Sequence, residues 1–419
     1  MMRLQKLLSL LLAVLLLAGC MAQEEPPAPT QPPTTPPTVE TTAATEPEAV
    51  PLPPAQRIPD GFSLFMQERD VTQYVVDDNV GSKVRAYSED TITIESSIPF
   101  AGLYMIWDAI PGTYTIQWEG GSKICGEYGF LHEYVALEEA VTQVTLVLPP
   151  EASVLLCDVR LYTEGSAPED VQLWLPPCQE ADVLVFPTHS DDDALFFGAL
   201  ISYYAIERQL TVQTAFMVDH TWQPHRGHER LNGLWAMGIR HYPILGAAPD
   251  TATFDFTEAM NLYAPSDILG WQTELIRRFR PLVVVGHDLD GEYGNAGHKV
   301  NAHFLTQAIH TAADPDAYPA SADLWGTWKT PKLYLHLYRE NEWYLDVNTP
   351  MTLDPLGRTP FEAAQDGFAA HVSQQQWGVV QQNDSNRAYD CRRFGLFFSL
   401  VGEDTTADIM ENIDLDQWR

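Results

Sequence analysis

The spacing of apolar and polar positions divides the chain into two differently built halves. Between about Asp60 and Pro176, short runs alternate with a period of two. Tyr114, Ile116 and Trp118 share one face of TYTIQW, Val144, Leu146 and Leu148 one face of VTQVTLVL, and Leu155, Cys157, Val159 and Leu161 one face of VLLCDVRLY. Turn pairs such as Pro111-Gly112 and Gly120-Gly121 separate such runs. Two-residue alternation broken by turns predicts antiparallel strands, here a β-sandwich over residues 60–176. Its rings at Trp107, Tyr114, Trp118 and Trp174 either fill the core or offer faces to a sugar.

From Ala181 the pattern changes. Val183–Phe186 is an apolar run fit for a strand buried on both faces, and Ala194–Tyr204 reads as a buried helix. Strand runs follow at Thr211–Val218, in HYPIL, at Pro281–Asp288 and in KLYLHLY (Lys332–Tyr338). Helical runs lie between them near Arg226–Met237, Ser266–Phe279 and His298–Ala312. Strands alternating with helices predict an α/β fold, a parallel sheet with helices on both faces, over residues 177–419.

Composition narrows the partners. The 57 acidic residues against 24 basic ones give a net charge of -33, which excludes nucleic acid as a partner and gives no attraction to an anionic surface. The 45% hydrophobic content is ample for two cores.

Arg3 and Lys6 precede an apolar run, Leu7 to Leu17, that ends in Ala18-Gly19-Cys20. This resembles a bacterial lipoprotein signal. The resemblance implies removal of residues 1–19, acylation of Cys20, and an extracytoplasmic protein held to the membrane through a lipid anchor only. Residues 20–59, rich in Pro and Thr, read as an extended linker. Cys125, Cys157, Cys178 and Cys391 allow three disulfide pairings; Cys125 with Cys157 is the first to examine.

The chemistry concentrates in VLVFPTHSDDD, Val183–Asp193, where an apolar strand runs into a histidine and three carboxylates. The carboxyl end of a parallel strand is where α/β sheets bind ligands. His189 and a nearby aspartate can share one metal ion and leave a second aspartate free, whereas helix capping accounts for one aspartate only. A third donor fits the loop Gly286–His303, which carries His287, His298 and His303 with Asp288, Asp290, Glu292 and Tyr293 between them. His220, His225 and His228, after another strand, either line the pocket or face solvent.

These residues carry a family resemblance. His189-Ser190-Asp191-Asp192, Arg226 and Glu229 followed by Ala236-Met237-Gly238-Ile239, the GEYG loop with His298, KLYLHLY, and His371-Val372-Ser373-Gln374 are similar, in order, to motifs of the PIG-L or LmbE-like deacetylases. The resemblance implies a Rossmann-like domain that holds Zn(2+) and removes the acetyl group from an N-acetylated amino sugar. It implies His189, Asp192 and His298 as metal ligands, Asp191 as general base, Tyr293 as donor to the oxyanion, and Arg226 as a substrate contact. His287, Asp288 and His336 are further candidate substrate contacts, and His371 and Gln374 candidate supports. Another divalent transition metal suits the same two-histidine, one-carboxylate set.

One position departs from the family. Its loop usually carries a histidine where this chain has Asn295, which donates a hydrogen bond but cannot deliver a proton. With Asn295 at this catalytic position, either Asp191 acts as base and then as acid, or His287, His303 or His336 substitutes, or turnover is weak. The sequence therefore supports a deacetylase acting on N-acetylglucosamine-type sugars of cell-surface or extracellular glycans. The alternative is a glycan-binding lipoprotein whose metal site has lost turnover. The oligomeric state is left open.

Overall fold

A computed structural model describes residues 52–419 apart from 110 and 384. The signal, Cys20 and most of the linker lie outside the described residues. Among those described, no helix is long and apolar enough to cross a membrane.

The N-terminal region is built from β1 (Arg57–Ile58), β2 (Phe62–Met66), β3 (Arg69–Asp70), β4 (Val84–Tyr87), β5 (Thr91–Ala109), β6 (Tyr114–Trp118), β7 (Gly121–Cys125), β8 (His132–Val147) and β9 (Ser153–Tyr162). β1 lies inside the stretch that the sequence assigns to the linker: Arg57 and Ile58 pair with Tyr162 and Leu161. All pairings here are antiparallel, in the order β1-β9-β5-β8-β6-β7. The strands form one hydrogen-bonded network where a sandwich predicts two sheets, because β5 is 19 residues long and takes part throughout it. Register shifts in its pairing with β8 fall between Glu95 and Phe100. Such irregularities let a long strand bend.

The alternating residues meet in one core containing Ile94, Leu103, Trp107, Tyr114, Ile116, Leu146 and Leu156. Trp107 and Tyr114 are fully buried, so they fill this core and offer no face to a sugar. Trp174 is buried in a second core, against α/β residues. The four cysteines of this half and the next are free, buried thiols, and Cys125 is not joined to Cys157. Burial pushes each thiol up to about 12.

The C-terminal region contains β10 (Val183–Val185), α1 (Asp192–Leu195), α2 (Gly198–Ser202), β11 (Val212–Asp219), α3 (Pro224–Ala236), β12 (Ile244–Pro249), α4 (Phe256–Leu262), α5 (Pro265–Phe279), β13 (Val283–Gly286), α6 (Ala296–Thr311), α7 (Pro319–Trp325), β14 (Lys332–His336), β15 (Glu342–Tyr344), α8 (Pro360–Ala369), β16 (Arg393–Ser399) and α9 (Leu415–Trp418). Its seven strands run in the order β12-β11-β10-β13-β14-β16-β15. The first five are parallel. β16 runs antiparallel to both β14 and β15.

Alternation along β10 sends side chains to both faces. Val183 and Val185 join a core with α1, α2, α3 and α8, while Leu184 and the following Phe186 join another with α5 and α6. The chain leaves β10 for β11 on one side and returns through β13 on the other. That change of direction opens a crevice beyond the carboxyl ends of β10 and β13. The predicted helix over 194–204 is broken: α1 stops at Leu195, α2 restarts at Gly198, and a π-helical turn covers Tyr203–Glu207. Gly198 fits the close approach of α8, since a Cβ there would lie 2.9 Å from that of Ala364.

Candidate metal centre and active site

The loop after β10 turns back on itself at His189. The His189 N–H donates to Asp192 Oδ2 at 2.6 Å, which fixes that carboxylate beneath the histidine ring. His189 Nδ1 lies 3.2 Å from Asp192 Oδ2 and 3.2 Å from His298 Nε2, and His298 Nε2 lies 3.2 Å from Asp192 Oδ2. Three donors from two loops thus converge on one point, and all three residues are buried. Burial alone would raise the Asp192 carboxyl, but the adjoining His298 and His189 hold it well below the usual carboxylate range.

Asn295 sets His298 in place. Its Oδ1 accepts from the N–H groups of Gly297 and His298 at 2.8 and 3.2 Å, making it the N-cap of α6. A capping oxygen here satisfies two backbone donors that a helix start leaves open. Its Nδ2 faces Tyr293 Oη at 3.4 Å. Tyr293 has a left-handed backbone, φ 47°, and stays 40% exposed, stacked on Tyr389 with ring centroids 5.5 Å apart.

Asp191 is not one of the three donors. Arg226 Nη2 donates to Asp191 Oδ1 at 2.8 Å, and Arg226 Nη1 donates to Asp250 Oδ2 at 3.1 Å. Burial, then the charge of Asp192, pushes the Asp191 carboxyl up to about 6 despite Arg226. A carboxylate with a pKa close to neutral is suited to accept and return a proton. Arg226 does not pair with Glu229, which accepts from the N–H and Oγ of Ser373, nor with Glu207, which accepts from Thr352.

Two residues drawn as substrate contacts lie elsewhere. His287 and His336 are fully buried with both ring nitrogens engaged. His287 Nε2 accepts from the Thr188 N–H at 2.9 Å, and its Nδ1 lies 2.8 Å from Glu292. His336 is held between Glu292 Oε1 and the Asp390 carbonyl, at 2.8 and 2.9 Å. Both stand behind the donors and have no nitrogen left for a ligand. Asp288 lines a separate cavity with Leu337–Glu340 and Arg387. His303 is exposed on α6, its ring against Phe256.

Two acids gain importance from the folded geometry. Glu292 is buried with Oε2 at 2.7 Å from His298 Nδ1. Burial opposes its ionisation, but His287 and three hydrogen bonds hold its carboxyl well below the usual range. Asp250, at the end of β12, lies 3.2 Å from His220 Nδ1 and 3.8 Å from His189 Nε2. Its position after a strand, like that of the other site loops, is the one sequence signal that it carries. Burial pushes its carboxyl up, yet the His220 hydrogen bond and the charges of His189 and Arg226 bring it to about 2. Of the remaining histidines, His220 accepts from the Ser190 N–H, His371 lies 3.6 Å from Asp193, and His228 turns away toward the β-region.

The donor set fits a metal ion. Glu292 takes the proton side of His298 at Nδ1, which leaves Nε2 a lone pair directed at His189 Nδ1 and Asp192 Oδ2. Three acceptors within 3.2 Å of one another require a proton or a cation between them, and two imidazoles with one carboxylate are a catalytic zinc set.

No family model matches the chain. It is similar to the 1D-myo-inositol 2-acetamido-2-deoxy-alpha-D-glucopyranoside deacetylase 1 of Frankia alni, with 28% identity over 177 residues, and to the corresponding deacetylase of Rhodococcus erythropolis, with 42% over 179. These alignments cover 35% and 36% of this chain, and 59% of each relative. Among solved structures, N,N'-diacetylchitobiose deacetylase from Pyrococcus horikoshii aligns with a TM-score of 0.38 and 16% identity, over 47% of this chain and 72% of that one. The chain therefore spans little more than half the length of these curated relatives.

Proposed function

We propose that the C-terminal region is a metal-dependent hydrolase that removes the acetyl group from N-acetylglucosamine-type sugars of extracellular or cell-surface glycans. The observation that carries this reading is a raised, Arg226-held Asp191 beside a separate His189, Asp192 and His298 triangle. A binding protein has no physical need for a free carboxylate poised there, which favours turnover over a lost site. The relatives' action on acetamido sugars agrees with it.

His189, Asp192 and His298 would hold Zn(2+) or another divalent transition metal, which polarises an amide carbonyl and brings a water's pKa down to about 7. Asp191 then takes the proton of the attacking water on its second oxygen, with Arg226 holding Oδ1. The hydroxyl of the part-exposed Tyr293, beside Asn295, donates to the oxygen that gains charge as the carbonyl carbon becomes tetrahedral. Asp191 returns its proton to the departing amine, so that acetate and a free amino sugar result. The burial and engagement of His287 and His336 and the exposed position of His303 on α6 support this dual role. Asn295 serves by orienting His298 and Tyr293.

Acylation of Cys20 and the proline-rich linker would place this chemistry outside the cell, tethered to the membrane. The net charge of -33 suits neutral glycans better than anionic ones. The test is acetate release from N-acetylglucosamine oligomers by the zinc-loaded chain, with Asp191→Asn as control. Release that vanishes in the control supports the reading, and no release from any oligomer sinks it.

A further inference from the structure

A second cavity, of about 500 Å³, opens where the β-region meets the α/β region. Tyr104, Arg160 and Gln172 line it from one side, and His225 and Asn232 of α3 with Val372 from the other. Its volume lies in the range of small-ligand sites, roughly 300–1,000 Å³, and seams between folded regions are where such sites recur.

The groups at this seam are polar and tied across it. His132 Nε2 lies 2.9 Å from His228 Nδ1, both residues being buried, and Gln172 Nε2 donates to Asn232 Oδ1 at 2.6 Å. The charged groups on the lining are mostly acidic: Asp78, Asp170 and Glu229 stand against Arg160, whose Nε is 3.0 Å from Asp158 and 3.0 Å from Asp78. Burial pushes His132 down to about 3, which keeps it neutral. Neutral donors and acceptors beside the Tyr104 ring suit a hydroxyl-rich ligand, and they give no field that would draw in an anion.

The position relative to the metal centre is the second part of the argument. α3 separates the two: His225, His228 and Asn232 face the cavity, while Arg226 on the same helix holds Asp191. One helix is about 10–12 Å across, a distance that a short oligosaccharide spans. Val372 and Ala370 on the cavity wall flank His371, which packs toward Asp193.

We infer that this seam cavity is a distal glycan subsite, holding a neutral sugar residue of the same chain whose acetamido group is presented at the metal centre. This rests on the deacetylase reading and extends it: the favoured substrate is an oligosaccharide, and the appended β-region supplies part of its binding site.

The probe is a series of β-1,4-linked N-acetylglucosamine oligomers, one to five residues long, titrated calorimetrically into the zinc-loaded chain carrying Asp191→Asn. The expected result is an affinity that rises about tenfold or more once the oligomer is long enough to reach the seam, the worth of one or two well-made hydrogen bonds. Asn232→Trp on α3 and, beside Val372, Ala370→Trp fill the cavity, and in each the gain with length should disappear. Affinity independent of length in the parent protein overturns the inference, as does a gain that survives either filling variant with its melting temperature retained. Acetate release by the Asp191 enzyme is read separately. Release with length-independent binding sinks the subsite alone, whereas no release sinks the deacetylase reading.

Discussion

Glu292 Oε2 lies 2.7 Å from Nδ1 of His298, and the same oxygen lies 2.8 Å from Nδ1 of His287. The other oxygen is 2.8 Å from His336 Nδ1 and accepts from the Asp288 N–H at 3.1 Å. One buried carboxylate therefore fixes three imidazoles at once, and only His298 belongs to the donor triangle. Carboxylates behind a ligating histidine set its tautomer and raise its basicity. Glu292→Ala should weaken metal binding by about 10–100-fold, the usual cost of losing such a partner. A competitive zinc titration with a chromophoric chelator checks this, and unchanged affinity would remove Glu292 from the metal site.

The two neighbouring aspartates should separate cleanly. Asp192 is one of the three donors, whereas Asp191 is not and has its Oδ1 on Arg226. Asp192→Ala should lose bound metal, whereas Asp191→Asn should retain it and lose turnover by about 10²–10⁴-fold, the span of general acid–base catalysis. Metal content per chain measured beside acetate release decides the matter. Equal metal loss in both variants would contradict the assigned roles.

The acid limb of activity belongs to the same residue. Asp191 must be ionised to accept a proton, and burial with the charge of Asp192 brings its carboxyl up to about 6. Activity should therefore fall as the pH drops below about 6, and a bound cation draws the midpoint lower. A kcat/KM profile of the zinc-loaded protein from pH 4 to 8 reads this limb. A midpoint above 7 would point to a histidine instead.

The strand that ends at the site, the loop chemistry and the order of elements were legible because apolar runs and acid-rich loops are local signals. Other features depended on contacts between distant segments. Asp250 sits in an unmarked Ala-Ala-Pro-Asp run, and it matters because β12 brings it beside His220 and Arg226. The sequence offers four acids and histidines between Gly286 and Tyr293 without saying which points inward; only the turn after β13 buries Glu292 and leaves Asp290 outside. Arg57 and Ile58 resemble linker because two residues carry no periodicity, and they become a strand through pairing with β9. Tyr114 shows the reverse: alternation located its face correctly but could not tell a core from a binding platform.

Asn295 offers a sharp distinction between a cap and a proton carrier. Its oxygen accepts from two backbone N–H groups at the start of α6. Asn295→Ala should cost about 0.5–2 kcal/mol of stability, whereas Asn295→Asp, which keeps the capping oxygen, should cost little. Urea unfolding measures both. If the alanine variant is as stable as the parent, the cap is not what this residue supplies.

The seam between the two regions should respond to acid in a predictable direction. His132 is held neutral by burial, its pKa lowered to about 3, and it lies 2.9 Å from His228 of α3. Its unfolded counterpart titrates near 6.5, so the unfolded state binds a proton first as the pH falls. The stabilising contribution is complete above about 6.5 and is lost progressively below it, by about 1.4 kcal/mol at pH 5.5 for one such histidine. His371, lowered to about 3, and His220, lowered to about 4, act in the same direction, each mainly through burial. Unfolding free energies at pH 7.5 and 5.5 should therefore differ by more in the parent than in His132→Gln, even though that variant is less stable at both. Because the loss at pH 5.5 depends on the unfolded value whenever the folded one lies well below it, the comparison tests burial of the seam directly. An equal difference in both proteins would mean that His132 is hydrated or charged in the folded chain, and the tie between the β-region and α3 would then rest on Gln172 with Asn232 and on His228 with Asp108.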